Sequence, residues 1–452
     1  MEKYNKYKDS GVEWLNEIPK HWHLKRVKDL TKIISKGTTP STEGETYTNS
    51  GVRFIKAENV KENGKVVDNP VFFISEETNK ILKRSQLKAN DLLLVIAGAT
   101  TGKIAVIQEA QLPANTNQAV CFLRLKKEEQ KESLRYKYYF INSSSFQSLI
   151  WLFAVTSAQP NLPMAILSRI DFCYPPIKEQ TQIANYLDGK TTVIDKKVSL
   201  LQQKIKHYKA YRKTLINETV TKGLDKTVKL KDSGINWIGE IPEHWEVKRL
   251  KDVSKIFTGN SISDKSLFEI NKDAYNYIAT KDINIHTKEV NYDNGVYIPK
   301  TDKSFKITKK NTSLICLEGA SAGKKLTFVD REVAFVNKLC AIKSFDKNVF
   351  DKYIFYSLQT DLFNSQFFEL LSGLIGGVSL GLLKYFNILV PSIKEQQQIA
   401  NYLDYKTTTI DNIVQNIETQ ISTLKELRKT LINEVVTGKV KVSEPIEKQV
   451  VA

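Results

Sequence analysis

One helical stretch occurs twice, and it constrains the fold of this 452-residue chain more than any other feature. Residues 177–222 read IKEQTQIANYLDGKTTVIDKKVSLLQQKIKHYKAYRKTLINETVTK, and residues 393–438 read IKEQQQIANYLDYKTTTIDNIVQNIETQISTLKELRKTLINEVVTG. At a constant offset of 216, 28 of the 46 positions are identical without a gap. In the first copy Leu187, Thr191, Ile194, Val198, Leu201, Ile205, Tyr208, Arg212 and Leu215 alternate at steps of four and three. The second copy places Leu403, Thr407, Ile410, Val414, Ile417, Ile421, Leu424, Arg428 and Leu431 at the same steps. That is a heptad seam sustained for more than four heptads, the pattern of a coiled coil. Two such helices in one chain most simply pack on each other. Arg212 and Arg428 share one seam position. Each is either a register or partner contact or a stem lying along the seam with a solvated head.

The rest of the chain is duplicated as well. Residues 8–29 and 231–252 match at 14 of 22 positions, including Trp14/Trp237, Pro19/Pro242 and Trp22/Trp245. A repeat of this reach sets the order of the whole chain: short motif, variable stretch, long helix, then the same again. The variable stretches, about 30–174 and 253–390, match at their edges and barely inside. The first carries β-like runs at 52–56, 71–74, 92–96 and 119–124. Asn63-Gly64 and Asn294-Gly295 are hairpin-type dipeptides, and helical patches follow at 134–153 and 350–371. Pro175-Pro176 and Pro391 stand before the long helices, and Gly223 and Gly438 after them, where a left-handed cap residue is wanted. The predicted fold is α+β. Two α/β domains at 1–175 and 224–391 each close into a long coiled-coil helix, at 176–223 and 392–438, with a flexible tail at 439–452.

Charge narrows the partners. Lys plus Arg number 67 against 50 Asp plus Glu, a formal charge of +17, which points to nucleic acid or an acidic membrane surface. The N-terminus, MEKYNKYKDS, has no apolar h-region, and there is no run of 18 apolar residues. A soluble, cytoplasmic protein with no membrane partner is expected. Cys121, Cys173, Cys316 and Cys340 are far apart and suit buried free thiols better than a disulfide framework or a zinc site.

No motif for chemistry survives comparison between the two copies. Gly98–Lys103 and Gly319–Lys324 resemble a phosphate-binding loop, but only three residues separate the glycines and no Ser or Thr follows the lysine. Tyr174-Pro175-Pro176-Ile177 lacks the leading Asn or Asp and the trailing aromatic of an amino-methyltransferase tetrapeptide. Asp232 with Glu246-Val247-Lys248 spells a nuclease-like triad, yet its counterpart, Asp9 with His23-Leu24-Lys25, has no carboxylate at the second place. The five histidines form no i, i+4 pair. His21 and His244, in matched Pro-x-His-Trp segments, suit packing. Catalytic, metal and cofactor-binding residues are therefore expected to be absent.

Polar loops remain as DNA-contact candidates, since Asn and Gln suit adenine edges while Lys and Arg suit guanine and phosphates. In the first half these are Lys36, Gly37, Thr38, Thr39, Lys103, Asn115, Thr116, Asn117 and Gln118. In the second they are Thr258, Gly259, Asn260, Ser261, Lys324, Asn337 and Lys338. Each could equally be an ordinary polar loop residue, and Trp14, Trp22, Trp237 and Trp245 suit a core better than base stacking.

These features together resemble the specificity subunit of type I restriction–modification systems over nearly the full length. The resemblance is carried by Gly239–Trp245 (GEIPEHW) and its partner 16–22, by Gly37-Thr38-Thr39-Pro40, and by Ile-Lys-Glu-Gln-x-x-Ile-Ala before each long helix. The second half departs at Gly259-Asn260-Ser261-Ile262. The resemblance implies two target-recognition domains that each read one half of a split double-stranded DNA sequence, with an antiparallel coiled coil as spacer. It implies two modification subunits that carry S-adenosylmethionine and methylate adenine, and two restriction subunits that use ATP and Mg; none of that chemistry would belong to this chain. The 33 residues from Leu403 to Val435 give about 50 Å of helix, against about 34–36 Å for one DNA turn. The helices then read as a ruler that fixes the unread gap.

Overall fold

The computed structural model describes residues 2–130, 133–154, 160–235, 238–263, 268, 272–371 and 376–442. They fall into two compact units, Met1–Leu200 with Gln420–Ala452 and Leu201–Thr419. Each unit holds one variable domain and a portion of both long helices.

In the first unit an antiparallel sheet runs in the order Thr31–Lys36, Val120–Leu125, Leu92–Val95, Ile104–Val106. Its central strands are apolar on both faces, as a sheet covered on both sides requires. Leu92 and Leu94 join one core, with Trp22, Phe172 and the helical patch. Leu93 and Val95 join a second core with Phe122 and Ile55, following the period of two. That second core lies toward a smaller sheet of Phe73–Ile74, Val52–Ile55 and Ala114–Thr116, whose last two strands are parallel. The second unit repeats the plan. Ser254–Thr258, Leu339–Ser344, Thr312–Cys316 and Leu326–Val329 form its main sheet. Ala274–Ile278 and Val333–Phe335 supply the parallel pair, and Tyr297–Pro299 and Ile307–Thr308 lie outside them in the smaller sheet.

The expected helical patches are each two helices, Leu134–Ile141 with Ser144–Phe153 and Asp351–Ser357 with Asp361–Glu369. The break has one cause in both. Ser143 and Thr360 turn their hydroxyls to the amides of Phe146 and Phe363, an N-cap that starts a new helix. Asn63-Gly64 closes a tight turn between the bridged residues Val60 and Val66, with Gly64 at φ +77°. Asn294-Gly295 departs from the expectation: it is a bend leading into Tyr297–Pro299, because Asn294 spends its amide on Tyr277 O and Asp282.

The repeated motif works as a clasp. His23–Arg26 pairs with Asp171–Tyr174, and Glu246–Arg249 with Asn387–Val390, so each variable domain begins and ends on one two-stranded ribbon. Trp22 and Trp245 are fully buried, and Trp14 packs at the edge of its core. Trp237 lies outside the described residues. His21 and His244 each sit 2.9 Å from a carboxylate oxygen, of Glu179 and Glu395 in the first turns of the long helices. The cap glycines close the same corner. A Cβ on Gly438 (φ +77°) would meet Pro19 at 2.4 Å and Trp22 at 3.0 Å, and one on Gly223 (φ +73°) would meet Trp245 at 3.2 Å.

The long helices run unbroken over Ile177–Lys222 and Ile393–Val436. Every seam position from Leu187 to Leu215 and from Leu403 to Leu431 is buried or half-buried, including Ile194, Val198, Leu201 and Ile205 in the first copy and Ile410, Val414, Ile417, Ile421 and Leu424 in the second. In the second unit Arg212 lies 3.0 Å from Asp411 and Lys209 lies 3.7 Å from Glu418. Numbers rise on one helix as they fall on the other, so the pair is antiparallel. The first unit has the same contact, Arg428 with Asp195 at 3.0 Å. The seam arginines therefore bind across the helix pair. Because Asp411 keeps about a third of its side chain in solvent, Asp411→Ala is expected to cost only about 1 kcal/mol by chemical denaturation.

Candidate nucleic-acid interface

A glycine pressed against a neighbouring strand organises the candidate loops of the first domain. Gly37 follows the edge strand Thr31–Lys36, and a Cβ there would fall 1.8 Å from Thr116 O. The close approach lets its amide reach Asn117 O (3.1 Å) and Val120 O (3.3 Å), while the Thr38 amide donates to Thr116 O (3.2 Å). The turn after Lys36 is thus fastened to the turn after Thr116. Thr39 then bonds across to Gln118. Lys36, Thr38, Thr39, Asn117 and Gln118 share one rim, with Gln118 exposed and the other four half-buried. Asn117 Oδ1 finds no hydrogen-bond partner among the described residues.

The second domain builds the same rim. A Cβ on Gly259 would fall 1.8 Å from Phe335 O, and the Asn260 amide donates to that oxygen at 2.9 Å. Thr258, Asn260 and Ser261 flank the glycine on the opening side, and Asn337 and Lys338 stand exposed on the other. Backbone bonds fix the equivalence. Val120 N–H donates to Asn117 O as Leu339 N–H does to Val336 O, and Ile96 N–H to Ala119 O as Leu317 N–H does to Lys338 O. Asn337 therefore occupies the place of Gln118, and Lys338 that of Ala119. The rims coincide while their side chains differ.

Two candidates leave the rim. Asn115 and Thr116 are fully buried. Asn115 donates its amide to Asn79 Oδ1 and Leu82 O, and Thr116 donates its hydroxyl to Ile55 O. A side chain so committed cannot face a ligand; both hold the sheets together. The lysines of the glycine-rich loops lie elsewhere. Lys103 approaches Glu62 at 3.9 Å, and Lys324 turns back on Ala320 O. In the second copy the backbone place of Lys103, accepting the amide of the preceding strand, belongs to Lys325.

Two residues unmarked by local sequence join the rim from a third segment. Arg84, in the turn Lys83–Ser85, points one guanidinium nitrogen at Thr38 Oγ1 (3.4 Å). Lys306 donates its amide to Asn260 Oδ1 (2.9 Å) and its ammonium to Thr258 O (3.1 Å). A single cation in an unpatterned segment carries no signal of its own; only the fold brings it to the glycine turn. All four cysteines are buried thiols, and burial pushes Cys121 up to about 12, away from the reactive thiolate form. Among the described residues, no cluster of three or more His, Cys, Asp or Glu side chains could hold a metal, and no helix is long and apolar enough to cross a membrane.

Known proteins are similar to this chain over nearly its whole length. The family model for the type I restriction modification DNA specificity domain matches residues 19–207 and again 242–423. The type I restriction enzyme MjaVIII specificity subunit of Methanocaldococcus jannaschii is 21% identical over 449 residues, spanning 96% of this chain and 97% of that protein. The MjaIX specificity subunit of the same organism is 23% identical, spanning 95% and 96%. A chain from a structural study of assembly and conformational transition in the type I R-M system superimposes with a TM-score of 0.73 at 14% identity, covering 94% of this chain and 99% of its own. The HsdS subunit from Thermoanaerobacter tengcongensis gives 0.52 at 16% identity, covering 94% and 98%.

Proposed function

Because the chain belongs to the type I restriction modification DNA specificity family, we propose that its two glycine-fastened rims read the two halves of a split, asymmetric DNA sequence. DNA sequence recognition within a type I restriction–modification system is the family's role. The observation that carries the finer reading is the rim itself, built twice on the same backbone contacts but dressed in different side chains. Thr38, Thr39, Asn117 and Gln118 face the first half-site; Asn260, Ser261, Asn337 and Lys338 face the second. Their donors and acceptors suit base edges, and the excess of lysine supplies the sequence-independent phosphate attraction. Division suits the energetics, since each well-read base pair discriminates by only about 1–3 kcal/mol and must be summed over several positions.

On this reading the chain positions the chemistry of others. Modification subunits bearing S-adenosylmethionine methylate adenine in each half-site, and restriction subunits supply ATP- and Mg-dependent cleavage. Methylome sequencing of cells with and without the chain should show one bipartite adenine-methylated motif appear and vanish; an unchanged methylome refutes the proposal. Exchanging residues 30–174 for the corresponding domain of a relative should alter one half-site and leave the other. A change in both would refute the division of labour.

A further inference from the structure

We infer that Arg84 is a specificity-determining residue, reading a guanine in the first half-site. The inference rests on the function proposed above and adds to it a residue and a base. Four arginines lie between residues 31 and 154. Arg53 is held by Asp68 at 3.0 Å, Arg124 by Asp91 at 2.7 Å, and Arg135 by Asp188. Arg84 alone of the four has no carboxylate partner among the described residues: its one contact is the long bond to Thr38 Oγ1. It is exposed, and its turn is anchored from behind by buried Ser85, whose hydroxyl donates to Leu82 O at 3.1 Å. The fork is thus aimed at the rim by a fixed turn, with its remaining N–H groups unspent.

A guanidinium in that state matches one base-pair edge better than any other. Its parallel donors fit the O6 and N7 acceptors of guanine in the major groove, while adenine presents a donor where O6 would be. The neighbouring rim groups Thr38, Thr39 and Gln118 are uncharged, and the rim's other cation, Lys36, is a point charge without a planar fork, so Arg84 brings the bidentate contact of this half. The second domain offers a contrast. Its sole arginine between residues 253 and 390, Arg331, is bound to Asp330 at 2.9 Å and stacked on Tyr292. The cation that reaches its glycine turn, Lys306, has its ammonium on the turn's own backbone. The two rims therefore differ in kind, and only the first carries a free bidentate reader.

The test uses the chain assembled with its modification subunits. Equilibrium binding is measured on duplexes carrying the wild-type bipartite motif and every single-base-pair change, at several salt concentrations. For Arg84→Gln and Arg84→Lys the inference expects preference to relax by about 5- to 150-fold at one G·C pair of the first half-site. All other positions should keep theirs. Lysine retains the charge but not the fork, so Arg84→Lys separates readout from attraction. A uniform loss on all sequences, with the salt slope reduced by about 0.9, would make Arg84 a phosphate contact and overturn the inference. Unchanged binding by both variants overturns it too. A wild-type complex with no bipartite preference would instead refute the function itself, and this inference with it.

Discussion

Alanine at Gly37 is expected to destabilise the first unit by about 3 kcal/mol and to abolish reading of one half-site. Gly37 does not need a left-handed backbone; it needs the absence of a side chain. A methyl group 1.8 Å from Thr116 O cannot be relieved by a rotamer change, because the obstacle is the backbone of a buried strand. The chain must move the opening turn away, and with it go the bonds from Gly37 and Thr38 to Asn117, Val120 and Thr116. Hydrogen exchange is the suitable measurement. Protection should fall at 36–39 and 114–120 while the second unit keeps its wild-type pattern. Gly259→Ala should give the mirror result at 258–261 and 333–339. Normal protection and full sequence preference in Gly37→Ala would show that the rim is not built by this contact.

Glu129→Ala should be equally damaging for an electrostatic reason. Lys137 is almost wholly buried, and its ammonium lies 2.8 Å from Glu129, which is also buried and bonds Lys25 and Tyr174. Removing the carboxylate leaves a buried cation with the neutral Ser133 and Gln180 as its hydrogen-bond partners among the described residues and the Tyr174 ring nearby. The expected cost is about 3–5 kcal/mol by denaturant unfolding of the full chain. Replacing the pair together, Glu129→Leu with Lys137→Ile, should recover most of it. The second copy already shows the apolar solution. Tyr136 and Tyr353 donate equivalent bonds to Val436 O and Val220 O, and the residue after Tyr353 is buried Ile354. Burial pushes the Glu129 carboxyl up, but the bond and charge of Lys137 outweigh it and leave it below the ordinary range. A lowered folded pKa means its stabilisation is complete above about pH 4–5 and drains away as pH falls through the lower folded value. The double variant should lack that acid-side component.

How much was legible in the sequence depended on whether a feature had a period or a partner at fixed spacing. The seam from Leu187 to Leu215 and its copy were readable because heptads are a one-dimensional pattern, and the cap glycines because helix ends have local rules. The opening turns were findable through Gly37 and Gly259. What lay beyond reach was commitment in three dimensions. Asn115 looks as polar as Gln118 in a string of letters, yet Asn115 lies in a strand buried throughout and bonded to the segment 79–82, while Gln118 lies exposed in the turn that follows. Arg84 is 46 residues from Thr38 and carries no motif. The partners of Arg212 and Arg428, Asp411 and Asp195, lie on the opposite helix and leave no mark in the seam pattern itself.

The clasp ribbons have a consequence for how such a protein can change. His23–Arg26 with Asp171–Tyr174, and Glu246–Arg249 with Asn387–Val390, bring the two ends of each variable domain to adjacent strands. A segment whose ends meet on one ribbon can be excised and replaced without asking the remainder to stretch, rotate or re-pair. The rim inside it is fastened by main-chain amides and carbonyls, so a replacement rebuilds it provided it carries a glycine at the place of Gly37 or Gly259. On the function proposed above, recombination at the two ribbons is expected to give a folded protein with a new preference in a single event.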